Sequence, residues 1–331
     1  MTTPPWPPSL GRVRPWLVHY LGWDGATSRQ AVIVLPSGFG PTTPPQRPLP
    51  LVISPHGRNN VGWSNAVTYW QDLPADGPFV LVCPDGLGRA HTKATDPFDQ
   101  PPSNPGLFTY GYPREIADLA RMPKIVEETL PWVRVDFERI YVLGSSMGGQ
   151  ETLLLAARFP HALEGGTGRL AGAAAFDSVC DLATQCGYLT RTAATAGTAA
   201  LMLEEVGSRP NDLGGFDQAA VFYDRKTKTH TTIGQLVRDL PHDQAQWDER
   251  SPLTYTAQLG ALNFPLALYW SRKDTVVGNQ ATEHTGKLYN AIEAANPEAA
   301  VAQVVGDWMH SAEFFPRGRL GEALRNFGLI T

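Results

Sequence analysis

The chain has 331 residues, 42% of them hydrophobic, with 32 glycines and 29 prolines, enough apolar material to bury one large core. Its 27 basic and 32 acidic residues give a formal charge of −5, with no basic cluster to replace counterions on a polyanion, so no nucleic-acid partner is expected. No apolar run approaches the roughly 18 residues that a membrane span needs, so none is expected.

The opening Met1-Thr2-Thr3-Pro4-Pro5-Trp6-Pro7-Pro8 has neither a basic region nor an apolar one. It therefore does not read as a secretory signal, which favours the cytoplasm over export with a leader already removed. A hairpin is expected from Val13 to Tyr20 and Gln30 to Leu35, within an N-terminal lead of residues 1–48. A Pro-rich connector, Pro41 to Pro50, follows. Apolar, β-branched runs then recur at Leu49–Ser54, Pro78–Cys83, Arg139–Leu143, Leu170–Phe176, Pro265–Trp270 and Ala300–Val305. Helical patterns alternate with them at Pro113–Leu130, Gly149–Arg158 and Gln280–Ala295. Such alternation predicts a single α/β domain with a mostly parallel central sheet covered by helices on both faces, in which ligands bind beyond the carboxyl ends of the strands.

Two insertions break the alternation. Leu87–Tyr112 is polar and Pro-rich with scattered aromatics, and reads as a long loop over the site. Residues 178–251 carry helical patterns of their own, Ala193–Val206 and Thr232–Leu240, and are expected to form a cap. Of the cysteines, Cys83 ends a core strand; Cys180 and Cys186 could close a small disulfide in an exported protein but make a poor zinc site. No metal and no organic cofactor is expected.

The chemistry is concentrated at Gly144-Ser145-Ser146-Met147-Gly148, between the strand ending at Leu143 and the helix that Phe159-Pro160 stops. A G-x-S-x-G sequence on a strand-to-helix turn is a nucleophile elbow, its small residues letting a strained backbone lift the serine hydroxyl clear of the sheet. Ser146 is the expected nucleophile. A hydroxyl nucleophile needs a base to take its proton and an acid to orient that base. Asp274 follows the strand Pro265–Trp270 and His310 follows the strand Ala300–Val305, giving the chain order Ser, Asp, His. Asp307 is a competing acid. Among the other histidines, His230, His242 and His284 sit among polar neighbours and read as solvated. Developing negative charge on a carbonyl oxygen calls for preset donors. These are expected from the Met147 amide, at a helix start, and from the Arg58 amide in Pro55-His56-Gly57-Arg58, after an early hydrophobic strand. The Arg58 side chain could bind a carboxylate on the substrate or be solvated or paired. His56, Trp63, Tyr110 and Trp308 are expected substrate contacts.

With Pro55-His56-Gly57 and Pro84-Asp85-Gly86 upstream, the run Val135–Gly149 resembles the esterase and depolymerase branch of the α/β-hydrolases. That branch includes polyhydroxybutyrate-depolymerase-like and feruloyl-esterase-like enzymes, and prolyl-oligopeptidase-type catalytic domains are similar to it. The resemblance extends from about Leu49 to Phe327 and implies an α/β-hydrolase fold and a serine hydrolase acting on small or polymeric carboxylic esters. A prolyl-oligopeptidase-type peptidase and an acyltransferase with the same triad are the alternatives. The chain departs from the pattern in lacking the extra glycines or cysteine of the oxyanion loop and the glycine before the acid, which leaves the substrate subclass open. Oligomeric state is not legible in the sequence.

Overall fold

The computed structural model describes residues 11–26, 28–58, 60–86, 110–163, 168–207, 216–224, 227–238, 240–241 and 243–331. Its strands are β1 (Val13–Leu21), β2 (Ser28–Pro36), β3 (Leu49–Ile53), β4 (Val80–Pro84), β5 (Val135–Ser145), β6 (Leu170–Phe176), β7 (Val221–Asp224), β8 (Thr229–Thr232), β9 (Leu266–Ser271) and β10 (Val301–Gly306). Eight of them form one sheet in the order β1-β2-β4-β3-β5-β6-β9-β10. The hairpin β1–β2 pairs antiparallel with itself and with β4, and every later neighbour is parallel.

The period of two along each strand divides the core between the faces of the sheet. Leu51, Ile53, Ile140, Val142, Ala173, Ala175, Leu266 and Leu268 bury one face, with residues of the helices Pro113–Thr129, Met147–Arg158 and Thr285–Ala295. Val52, Tyr141, Leu143, Ala174, Phe176 and Tyr269 bury the other, against Trp70, Phe314 and the helix Arg319–Asn326. Burial on both faces is why β3, β4 and β9 read as continuous apolar runs. β5 is longer than its apolar run because polar Asp136 and Glu138 precede it on exposed or half-exposed positions.

Between β6 and β9 the chain leaves the sheet. The helices Leu182–Leu189, Ala193–Val206, Ile233–Arg238 and Gln244–Glu249 and the hairpin β7–β8 enclose an apolar cluster of their own, including Leu182, Cys186, Leu203, Phe222 and Trp247. That cluster also takes in Met147 and Val277, which flank Ser146 and Asp274 closely in sequence. The hairpin was not expected from its short, polar strands, and the expected helix Thr232–Leu240 is shorter, at Ile233–Arg238. Residues 87–109 of the expected loop Leu87–Tyr112, and His242, lie outside the described residues. Cys83, Cys180 and Cys186 are buried free thiols, not bridged; burial raises all three well above the usual thiol pKa and makes them unreactive core groups. Among the described residues no helix is long and apolar enough to cross a membrane.

Candidate active site

Ser146 sits between β5 and the helix Met147–Arg158 with φ 61° and ψ −124°, a conformation that costs a non-glycine residue of order 1–3 kcal/mol and persists only where packing enforces it. The enforcement is visible. The Ser146 amide donates to the Phe176 carbonyl of β6 at 2.8 Å. Gly148 presses onto the end of the β3 loop so closely that a Cβ there would lie 2.3 Å from the Pro55 carbonyl oxygen. Glycine at that position is what lets the elbow helix and the Pro55–Arg58 turn meet, and a Cβ on Gly57 would fall 3.7 Å from Cβ of Ser146. Gly57 and Arg58 are thereby brought beside the serine, on the wall of one cavity.

His310, after β10, places Nδ1 2.8 Å from Oδ2 of Asp274, after β9. The Asp274 side chain is wholly buried and that of His310 is 15% exposed. Oδ1 of Asp274 also accepts the amides of Val276 and Val277 at 2.9 and 3.0 Å, and Oδ2 accepts Nε2 of Gln280 at 3.2 Å. A carboxylate fixed by so many donors can turn only one way, so Nδ1 carries the proton in the neutral imidazole and Nε2 keeps its lone pair. Asp307, the competing acid, is exposed and pairs with Arg272 at 2.8 Å instead.

A cavity of about 140 Å³ opens at this rim, lined by Gly57, Arg58, Ser146 and His310 with Asn60, Asn65, Tyr69, Ser145, Ser311 and Phe314. Four expected contacts are not among the residues that line it. His56 is buried and braces two loops, Nδ1 donating to the Gly57 carbonyl at 2.8 Å and Nε2 accepting the Gly86 amide at 3.1 Å. Trp63 packs at the edge of the second core face, and Tyr110 is buried in the cluster above the sheet. Trp308 folds over Gly306 and gives its indole N–H to Asp177 at 3.0 Å. His284, expected in solvent, is fully buried; its Nδ1 accepts the Cys180 and Asp181 amides at 3.1 and 3.3 Å, and burial pushes it down to about 4, so it stays neutral.

Asp177 was not expected at all. It directly follows β6 with φ 44°, is buried, and holds the segment that carries His310: its oxygens accept the Ser311 amide at 2.8 Å and the Trp308 indole at 3.0 Å. It also accepts the Ser271 amide at 3.0 Å, tying in the end of β9. Burial first, then the neighbouring Asp274 carboxylate, pushes Asp177 up to about 6. Ser145 and Ser311 share a hydroxyl hydrogen bond of 2.6 Å that joins the elbow strand to the same segment. Ligand atoms of Asp177, Asp274 and His310 lie within 4.8 Å of one another. Each carboxylate oxygen of the cluster already faces N–H donors, a set suited to hydrogen bonding among the residues themselves rather than to a cation.

No family model and no curated protein matches the sequence. Solved structures do. A thermostable esterase from Pseudomonas putida matches with a TM-score of 0.53 at 17% identity, over 97% of this chain and 82% of that one. An acetyl xylan esterase from a Paenibacillus species matches with a TM-score of 0.56 at 15% identity, over 97% and 85%. A candidate dipeptidyl aminopeptidase IV from Bacteroides ovatus matches with a TM-score of 0.57 at 17% identity, over 96% of this chain and only 36% of that one. Together with the strand order and the elbow between β5 and its helix, these likenesses show that the chain has the α/β-hydrolase fold.

Proposed function

We propose that the protein is a serine hydrolase that cleaves carboxylic esters through an acyl-enzyme. The observation that carries this reading is the 2.8 Å bond from Asp274 to Nδ1 of His310, on an imidazole that lines the same cavity as the strained Ser146. In the proposed reaction Nε2 of His310 takes the proton from Oγ of Ser146 as the oxygen attacks the ester carbonyl, and Asp274 stabilises the imidazolium that forms. The amides of Met147 and Arg58 receive the oxyanion, the first at a helix N-terminus where partial positive charge favours it. His310 then returns the proton to the leaving alkoxide. A water attacks the acyl-serine by the same route and releases the acid. The segment 178–251 acts as a cap: its apolar cluster takes in Met147, next to Ser146, and Val277, near Asp274, and so covers the sheet rim beside the cavity.

The esterase likenesses, and a cavity of about 140 Å³ that suits small groups, favour short esters. The partial likeness to a candidate peptidase supports the second reading, a prolyl-oligopeptidase-type peptidase. Rates on p-nitrophenyl esters of increasing chain length, beside aminoacyl-prolyl anilides and with added alcohols, separate the readings. Ester hydrolysis that declines with chain length, with anilides untouched, is expected. Faster anilide cleavage would establish a peptidase, and preferential transfer to the alcohol an acyltransferase.

A further inference from the structure

Arg58 differs from the arginines that the fold pairs with acids. Arg29 is buried against Glu115 and Asp118, Arg158 pairs with Glu249, Arg272 with Asp307 and Arg319 with Glu322. Arg58, half-buried on the cavity wall beside Ser146 and His310, forms no ion pair or hydrogen bond with any described residue. The turn that carries it is held firmly: Gly148 abuts Pro55, and His56 bridges the Gly57 carbonyl and the Gly86 amide. The other side chains on the wall, Asn60, Asn65, Tyr69, Ser145, Ser311 and Phe314, are neutral. Asp274, the acid that follows β9, has no exposed side-chain surface and is turned to His310. A guanidinium left without an anion in a partly desolvated cavity is a ready partner for one, and its planar fork matches the two oxygens of a carboxylate.

We propose that Arg58 is an anion subsite and that the substrate is an ester that carries a second, free carboxylate a short spacer away from the reacting carbonyl. The proposal rests on the hydrolase reading for the position of that carbonyl. Both a half-ester of a short dicarboxylic acid, with the charge on the acyl side, and an acylated hydroxy acid, with the charge on the alcohol side, present this chemistry. A long neutral ester does not.

Two substrate pairs differ only in charge: monomethyl and dimethyl glutarate for the acyl side, and 4-acetoxybenzoate and its methyl ester for the alcohol side. In the wild-type protein the charged member of one pair is expected to have the higher kcat/KM. Arg58→Gln, which keeps the backbone amide, is expected to lower the charged-to-neutral ratio by about tenfold to a hundredfold, and Arg58→Lys by less. Rising ionic strength is expected to narrow the wild-type preference. An unchanged ratio in Arg58→Gln for both pairs overturns the subsite. Binding of the two charged esters to Ser146→Ala, measured by calorimetry, decides the matter without catalysis: binding lost in Ser146→Ala/Arg58→Gln supports the subsite even if no ester is turned over, and no binding, or equal binding by both proteins, overturns it. Failure of the hydrolase reading shows separately, as Ser146 left unlabelled by an organophosphonate.

Discussion

The ends of β6 and β9 lie side by side in the sheet, and each presents a buried aspartate whose oxygens are occupied by N–H donors. At Asp274 one of those donors is the imidazole of His310. At Asp177 the donors are backbone amides and an indole, from Ser271, Ser311 and Trp308. One carboxylate therefore orients the His310 imidazole, the proposed base, and the other positions the segment from which that imidazole projects. The difference teaches that a carboxylate's part in a site follows from its donors rather than from its burial or its place on the sheet rim. Burial, and after it the neighbouring Asp274 carboxylate, push Asp177 up to about 6.

Substitutions sharpen that comparison in graded steps. Ser146→Ala and His310→Ala are each expected to lower kcat on esters by about 10⁶-fold, since either removes a member of the proposed catalytic unit. Asp274→Asn is expected to cost about 10⁴-fold, because an amide in its place favours the wrong imidazole tautomer. Asp177→Asn keeps acceptor capacity on one side but loses the carboxylate that anchors Ser311 and Trp308. A loss of about 10²-fold in kcat with KM little changed is expected from the displaced imidazole. If Asp177→Asn were as damaging as Asp274→Asn, the division of labour between the two would be wrong. Ser145→Ala, which breaks the 2.6 Å link to Ser311, is expected to cost less than about tenfold, the worth of one neutral hydrogen bond.

The raised pKa of Asp177 also has a sign in stability. Its ordinary value of 3.8 rises to about 6 in the fold, so the native state holds this proton more tightly than the unfolded chain does. That contribution favours folding below about pH 4 and is lost as pH rises to about pH 6, by up to about 3 kcal/mol. Urea unfolding at a series of pH values checks it: the wild type is expected to lose more stability than Asp177→Asn over that interval, and parallel curves would contradict the shift.

The elbow, the two strand-end loops and the early His-Gly turn were readable because they obey local grammar. Glycines mark backbone that must bend or approach closely, and apolar runs mark strands, whose ends then fix where Ser146, Asp274 and His310 fall. Asp177 was unreadable because nothing near it in sequence explains it; Ser271 and Ser311, which it binds, are 94 and 134 positions away. His284 misled for a related reason: its neighbours Glu283 and Thr285 are polar, yet its ring is taken by the Cys180 and Asp181 amides across the fold. The bond from the Trp308 indole to Asp177 was equally illegible, the two residues lying 131 positions apart. Tyr69 and Phe314, which line the cavity, carry no motif and meet only in space, ring centroids 5.5 Å apart.

The most direct test of the Ser146–His310–Asp274 unit is the crystal structure of the protein after reaction with an organophosphonate. Expected is a single adduct on Oγ of Ser146, with the phosphoryl oxygen within hydrogen-bond reach of the Met147 and Arg58 amides and Nε2 of His310 facing the adduct. An adduct on another residue, or one on Ser146 with His310 turned away from it, would contradict the assignment.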